Sequence, residues 1–340
     1  MLRAEAGWWS WIVAALLALT LLAMPHRVLA ASWNEDSFTF DTPEQGATLL
    51  GGEDEYIKRL SPLDRASRLK SDQPVSEQQF LQFAAAQTEP WSDHDKEALG
   101  EILTSFTAVL NALPVPYDGA VALIRTTGAE EGGAAYTRGN AIILSDDVLS
   151  DRVELRWLLA HELFHIVSRR NPALRDALYA AIGFVKGSDL ALPASVAGHI
   201  VANPDTPDNS HFIRVRLDGK ALCAVPVFLF TIDRYDTERG GLFFNYGELQ
   251  YAVTAKVPAG GSAPPAEFSL VKPEQLTGLD EQIGRNTDYT IHPDEILAEN
   301  FALLLTDSNA KSPEILDRIR AAFADPGKAL PPVTSCDRTG

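Results

Sequence analysis

Two histidines and one glutamate are the residues of this chain whose types and spacing most clearly suggest chemistry. They lie in the stretch WLLAHELFHIVSRRNP, residues 157–172, where His161 and His165 are four positions apart and Glu162 follows the first. Residues four apart share one face of a helix, with their Cβ atoms roughly 6 Å apart, so both imidazoles can bind one metal ion. Zinc is the expected ion, because it binds imidazole nitrogen at about 2.0–2.1 Å. The sequence therefore predicts a single zinc ion held by His161 and His165.

Glu162 is the expected general base of this site. It lies too far round the helix to bind the ion beside its neighbours, yet close enough to reach a water molecule held there. The competing interpretation is a buried helix that carries these residues by chance. Burial without partners would cost about 1–3 kcal/mol for each unpaired polar group, whereas one metal ion satisfies all of them. The pattern therefore favours a metal site.

A catalytic zinc ion normally has three protein ligands and one position open to water. One source of the third ligand is the extended pattern HExxHxxGxxH. Ser168 and Asn171 stand where that pattern has its glycine and third histidine, so it is excluded. The third ligand must come from elsewhere in the chain.

The segment YTIHPDEILAENFALLL, residues 289–305, is the best source of that ligand. Pro293 suits the first turn of a helix, which places Glu295 and Glu299 four apart on one face. We predict that Glu295 binds the metal and that Glu299 accepts the hydrogen bond of a ligating imidazole and fixes its tautomer. A solvated acidic face at a helix start is the alternative. The other candidate third ligands are His199, His211 and Glu248.

A hydrolase also needs a donor for the negative charge that develops on the attacked carbonyl oxygen. Tyr246, in the aromatic run at 242–246, is the candidate, and a buried core tyrosine is the competing interpretation. His292 precedes Pro293 and is expected to cap that helix. The other residues of suitable type are His211, Tyr289 and Arg138.

The HExxH stretch should occupy one long helix. Asp151 can cap its N-terminus, with Glu154 in the reciprocal position of a capping box. Asn171-Pro172 should end the helix near Arg170, because the residue before a proline avoids the helical region.

The rest of the chain predicts an α+β fold. Helical patterns at 55–70, 76–87 and 92–113 precede two short strands at 120–125 and 140–145. Turn signals and alternating runs, such as those around Asp218-Gly219, indicate a later β-rich insertion. The predicted divisions are a signal peptide at 1–30, an N-terminal helical segment at 31–115, a core with the HExxH helix at 116–186, the insertion at 187–288, and the third-ligand and C-terminal helices at 289–340.

The N-terminus predicts export. Arg3 precedes an uncharged run from Trp8 to Met24, and Val28-Leu29-Ala30 suits signal cleavage after Ala30. A retained anchor is the alternative, although a spanning helix needs about 20 apolar residues. A periplasmic or secreted location would permit a disulfide between Cys223 and Cys336; two free thiols are the alternative.

The composition limits the partners. The formal net charge of −17 argues against nucleic acid and anionic lipid surfaces, which select for clustered Lys and Arg. Apart from the first thirty residues, no run is long and apolar enough to span a membrane. The sequence predicts no oligomeric state.

Two stretches carry a family resemblance. HELFH together with the distant helix Glu295-Ile-Leu-Ala-Glu299 resembles the gluzincin metallopeptidases, and the second stretch looks like the third-ligand helix of the prenyl-protein endopeptidase family and its relatives. Glu299 stands where those relatives commonly carry Asp. The stretches LLAHELFH and HPDEILAENFALLL also resemble those of a group of uncharacterised exported bacterial proteins with a predicted zincin site. The resemblance implies a zincin-like core, one zinc ion, and hydrolysis of a peptide or protein substrate.

The resemblance also suggests a substrate-binding strand. In zincins a strand shortly before the metal helix borders the cleft and pairs with extended substrate, and Asn140–Ser145 is in that position. An internal strand is the alternative. For the whole chain, the alternatives to a metallopeptidase are a zinc hydrolase of a non-peptide cell-envelope amide and a non-catalytic zincin-like binding protein.

Overall fold

The computed structural model describes residues 32–189, 192–206, 208–255 and 268–328. The predicted signal peptide at 1–30, including Ala30, lies outside the described residues. The elements below all belong to one unit that begins at Trp33.

The N-terminal region is mostly helical but also supplies two strands. Its helices are α1 Pro43–Leu50, α2 Glu55–Arg59, α3 Pro62–Arg68, α4 Glu77–Ala85 and α5 Asp93–Ala112, and its strands are β1 Phe38–Phe40 and β2 Thr88–Glu89. The helix expected over 55–70 is split in two because Ser61 caps a new helix that begins at Pro62. A capping box begins α4, with Ser76 Oγ accepting from Gln79 N at 3.2 Å.

Both strands join a five-stranded sheet, so this region is part of the core rather than a separate helical segment. The other strands of the sheet are β3 Val121–Thr126, β4 Tyr136–Arg138 and β5 Ala141–Ser145. The strand order is β1-β3-β5-β4, and β2 also pairs with β3. Strands β1, β3 and β5 are parallel, whereas β4 is antiparallel to β5.

The edge strand of this sheet differs from the one that the sequence suggested. Ala141–Ser145 pairs with β3 on one side and β4 on the other, so it is an internal strand. Tyr136–Arg138 is the edge strand on the side of the sheet next to Ala141–Ser145. Its three residues carry too weak an alternation to be recognised as a strand between glycine-rich turns.

The HExxH helix, α7, spans Arg152–Arg170, as the capping signals predict. Asp151 Oδ1 accepts a hydrogen bond from Glu154 N at 3.2 Å. A short helix α6 precedes it at Asp146–Ser150, and α8 follows at Pro172–Ala181.

The second sheet is antiparallel and has six strands. They are β6 Phe184–Lys186, β7 His211–Leu217, β8 Lys220–Phe230, β9 Gly247–Thr254, β10 Ser269–Val271 and β11 Leu276–Thr277. Asp218 and Gly219 turn β7 into β8 with φ of 50° and 77°, as the Asp-Gly signal predicts. Two short helices, α9 Ala194–Ala197 and α10 Asp280–Ile283, accompany this sheet. The observed architecture confirms the α+β class.

The Glu295 helix, α11, spans Pro293–Thr306 and packs on the HExxH helix; α12 follows at Pro313–Ala324. The rings of Phe164 and Phe301 lie 5.5 Å apart across the contact between α7 and α11. Both side chains are fully buried. This apolar contact holds together the two helices that carry the predicted metal ligands.

Two further predictions concern membrane-spanning helices and the cysteines. Within the described residues, no helix combines the length and apolar character needed to cross a membrane. Cys223 is disulfide-bonded, so the free-thiol alternative is wrong for this residue. Cys336 lies outside the described residues.

Candidate metal centre

The structure brings the three predicted metal ligands together. One donor atom from each of His161, His165 and Glu295 lies within 4.8 Å of the other two, and all three residues are buried. Glu295 Oε2 is 3.0 Å from His161 Nε2 and 3.5 Å from His165 Nε2. Two imidazole nitrogens and one carboxylate oxygen form a donor set typical of catalytic zinc.

Glu299 occupies the position that the sequence predicts for it. Its Oε1 lies 3.1 Å from His161 Nδ1 and accepts a hydrogen bond from Trp157 Nε1 at 3.2 Å. A carboxylate at Nδ1 keeps the proton there, which leaves Nε2 free to bind a metal.

Asp294 serves His165 in the same way, and sequence reasoning missed it. Its Oδ2 lies 2.8 Å from His165 Nδ1. Its Oδ1 accepts hydrogen bonds from Ser168 Oγ at 2.5 Å and Tyr179 OH at 2.7 Å. Two features of the sequence could have indicated this contact. Asp294 is an acidic residue next to Glu295, and Ser168 carries a hydroxyl three positions after His165. His292 caps the helix as predicted, with Nδ1 accepting from Asp294 N at 3.1 Å.

Two buried atoms indicate that the site suits a cation. Among the described residues, His165 Nε2 and Glu162 Oε2 find no hydrogen-bond partner. His165 and Glu162 are only 1% and 3% exposed. Leaving such a group unpaired costs about 1–3 kcal/mol, and a cation beside His165 would satisfy its free nitrogen.

The pKa values of the cluster reflect a balance between burial and the charges of neighbouring side chains. Burial lowers the pKa of His161, but its hydrogen bonds with Glu295 and Glu299 outweigh burial and raise that pKa to about 10. Burial opposes ionisation of Glu295, yet His165 and His161 hold the pKa of this carboxyl well below its ordinary value. Burial, and then the charge of Asp205, raises the pKa of Glu162 to about 8.

Asp205 is the second residue that sequence reasoning missed. One oxygen of Asp205 lies within 4.8 Å of donor atoms of Glu162 and His165. Its Oδ1 accepts hydrogen bonds from Thr137 N and Thr137 Oγ1, both at 2.6 Å. Asp205 lies in the turn-rich stretch after Asn203, where the sequence has no periodicity that predicts a direction for its side chain.

A cavity of about 860 Å³ is lined by His161, Glu162, Asp205 and Glu295 of this site. The edge strand contributes Tyr136 to its wall, and the second sheet contributes Phe228. Phe244 and Tyr289 also line it, with exposed fractions of 42% and 43%. The site therefore adjoins a partly apolar space bounded by both sheets.

The structure does not bring Tyr246 to this site. The side chain is buried in a separate cluster, and its OH donates to Gly240 O at 2.6 Å. Arg138 is also engaged elsewhere, by Asp54 at 2.8 Å. Tyr289 does reach the site: its ring centroid lies 6.5 Å from that of His161.

The alternative third ligands have other partners. His199 lies 2.9 Å from Asp233, and His211 lies 3.2 Å from Asp176. Glu248 pairs with Lys272 and accepts from Gln250; neither histidine nor Glu248 lines the cavity.

Comparison with known proteins gives one local similarity. No curated protein and no solved structure matches this chain. The family model of the eCIS core domain, the extracellular contractile injection system core, matches residues 117–173. That stretch contains β3, β4 and β5 and the whole HExxH helix. The chain thus carries a segment similar to the eCIS core domain, and this segment includes His161, Glu162 and His165.

Proposed function

We propose that this chain is an exported zinc-dependent hydrolase, and specifically a metallopeptidase of gluzincin type. The observation that carries the proposal is the convergence of His161, His165 and Glu295, with donor atoms within 4.8 Å of one another. Glu162, buried beside them with an unpartnered oxygen, supplies the group that a hydrolytic site needs and a structural site does not. The eCIS core match covers the two histidines and Glu162 but not Glu295.

His161, His165 and Glu295 would hold the ion. A zinc ion with three protein ligands polarises a carbonyl and lowers the pKa of water from 15.7 to about 7. Glu162 would accept the proton of the attacking water and pass it to the leaving amine.

The edge strand β4 would bind substrate main chain. Ala134, Ala135 and Tyr136 line the cavity, and β4 pairs with β5 along one side only. An extended peptide could therefore add to its other edge. Tyr289 is our candidate for the donor to the attacked carbonyl oxygen, since it lines the same cavity beside His161.

The substitution Glu162→Gln tests this function. We expect it to abolish hydrolysis of a mixed peptide library while bound zinc, measured by elemental analysis, stays at the parental level. Glu154→Gln is the matched control, because Glu154 lies exposed on the same helix. Parental hydrolysis by Glu162→Gln would refute the mechanism. Cleavage of cell-wall amides but not of peptides would refute a peptidase activity, while it would agree with a zinc hydrolase of non-peptide amides.

A further inference from the structure

His165 belongs to two groups of possible metal ligands. The first is the triad of His161, His165 and Glu295. In the second, an oxygen of Glu162, a ring nitrogen of His165 and an oxygen of Asp205 lie within 4.8 Å of one another. Nδ1 of His165 is engaged by Asp294, so only Nε2 is free to bind an ion. One imidazole nitrogen binds one ion, so the two groups cannot hold two separate ions. Glu162 lies too far round the helix to bind the ion, which leaves Asp205 as the member of the second group that could join the first.

Asp205 is held in place from the edge strand. Its Oδ1 accepts from both the main-chain N–H and the hydroxyl of Thr137, at 2.6 Å each. Asp205 is 7% exposed. One oxygen of the same carboxylate lies within 4.8 Å of donor atoms of Glu162 and His165.

The stretch that carries Asp205, residues 202–205, is tethered to several parts of the molecule. Asn203 Nδ2 donates to Glu295 Oε1 at 2.6 Å, so this stretch also contacts a predicted metal ligand. Arg169 donates to Pro204 O at 3.1 Å, and Arg68 donates to Ala202 O at 2.7 Å. The 202–205 segment is therefore fixed across the metal site by residues from α3, α7, α11 and β4.

Charge supports a ligand role for Asp205. Glu162 and Asp205 are both buried acids whose oxygens lie within 4.8 Å of each other. Two nearby buried carboxylates repel unless a proton or a cation lies between or beside them. Hard carboxylate oxygen and imidazole nitrogen both suit zinc.

We propose that Asp205 is a fourth ligand of the ion held by His161, His165 and Glu295. The resting site is then closed to water, and the 202–205 segment must shift before hydrolysis begins. The same shift would free the Thr137 N–H at the edge strand, which an extended substrate needs for pairing. The inference rests on the proposed function and adds a regulatory step to it.

Two measurements on the purified protein test the proposal, with Asp205→Asn as the variant. Asparagine keeps a carbonyl oxygen for Thr137 but removes the charged donor. The first measurement is zinc affinity by chelator competition, which we expect to fall about 10–100-fold, a loss typical of changes at a metal site. The second is imidazole binding to the cobalt-substituted protein, followed by its visible spectrum. Imidazole is neutral and competes only for an open position, so we expect binding to tighten about ten-fold or more.

Asp208→Asn is the matched control, because Asp208 lies three residues further along and lines the same cavity. It should leave both measurements at parental values. If Asp205→Asn also matches the parent in zinc affinity and imidazole binding, Asp205 is not a ligand. His161→Ala and Glu295→Ala separate the two ideas: loss of zinc in these variants, with Asp205→Asn unchanged, overturns only the fourth ligand. Zinc affinity at the parental level in both of these variants overturns the proposed function itself.

Discussion

His165 Nδ1 lies 2.8 Å from Asp294 Oδ2, while His165 Nε2 is 3.5 Å from Glu295 Oε2. Two adjacent acidic residues of one helix thus face the two nitrogens of one imidazole. Asp294 sets the tautomer, and Glu295 faces the nitrogen that is left for a metal.

Removing the charge of Asp294 should weaken metal binding without removing a ligand. We expect Asp294→Asn to lower zinc affinity about 10–100-fold, because His165 loses the partner that fixes its Nδ1 proton. Chelator competition measures the effect. Asp307→Asn is the control, since Asp307 is exposed at the far end of the same helix, in a left-handed conformation that asparagine also adopts. Equal affinities in the two variants would show that Asp294 does not support the site.

Removing Glu295 should have a larger effect. Glu295→Gln removes a charged ligand and leaves the two imidazoles and the proposed ligand Asp205, so we expect the purified protein to lose zinc on dialysis against a chelator. Elemental analysis gives the zinc content, and circular dichroism checks that the fold survives. Glu314→Gln, on the exposed face of the next helix, should keep its zinc. A dialysed Glu295→Gln protein with one zinc per chain would place the third ligand elsewhere.

The contact between α7 and α11 should matter for stability as well as for zinc. Phe301 is fully buried and lies 5.5 Å from Phe164 and 5.8 Å from Phe323, measured between ring centroids. Phe301→Ala should lower the free energy of unfolding by about 3–5 kcal/mol, measured by urea denaturation. Phe244→Ala, at a side chain that is 42% exposed, should cost less than about 1 kcal/mol. A similar cost for both would mean that the contact between the two helices contributes little.

Substitutions at two tyrosines should have different effects: Tyr289→Phe on catalysis and Tyr246→Phe on stability. Tyr289→Phe should lower kcat by about 10²–10³-fold with little change in KM, because it removes a donor to the transition state. Tyr246→Phe should leave kcat unchanged and lower the free energy of unfolding by about 1 kcal/mol, since its OH bonds only to main-chain carbonyls. Steady-state kinetics and urea denaturation on both variants provide the comparison. Unchanged kcat in Tyr289→Phe would remove Tyr289 from the mechanism.

Metal removal should expose the link between zinc and folding. A ligand that binds only the native state stabilises it by about 4.1 kcal/mol at a concentration a thousand times its Kd. We therefore expect chelation to lower the urea midpoint of the parent protein and readdition of zinc to restore it. The Glu295→Gln variant should show no such response. A zinc-independent midpoint in the parent would mean that the ion does not bind the native site tightly.

Much of the site could be predicted because it depends on local geometry. The four-residue spacings of His161 with His165 and of Glu295 with Glu299 place each pair on one helix face. The helix ends at Arg152 and Pro293 also follow from nearby capping residues. Such patterns involve a few neighbouring residues, so the sequence alone specifies them.

The remaining features of the site could not be predicted, because they depend on contacts between parts of the chain that are far apart in sequence. Asp205 approaches Glu162 and His165 only because the 202–205 segment crosses the site, and no periodicity in that turn-rich stretch indicates it. The edge position of Tyr136–Arg138 depends on how β4 pairs with β5.

The sequence by itself determined the metal-binding faces of two helices, their ends and the α+β class. Tertiary structure alone decided that these faces meet, that Asp294 rather than solvent contacts His165, and that Tyr289 rather than Tyr246 lines the cavity. The physical reason is that helix periodicity and capping act over a few residues, whereas the approach of side chains more than a hundred positions apart depends on how the core packs.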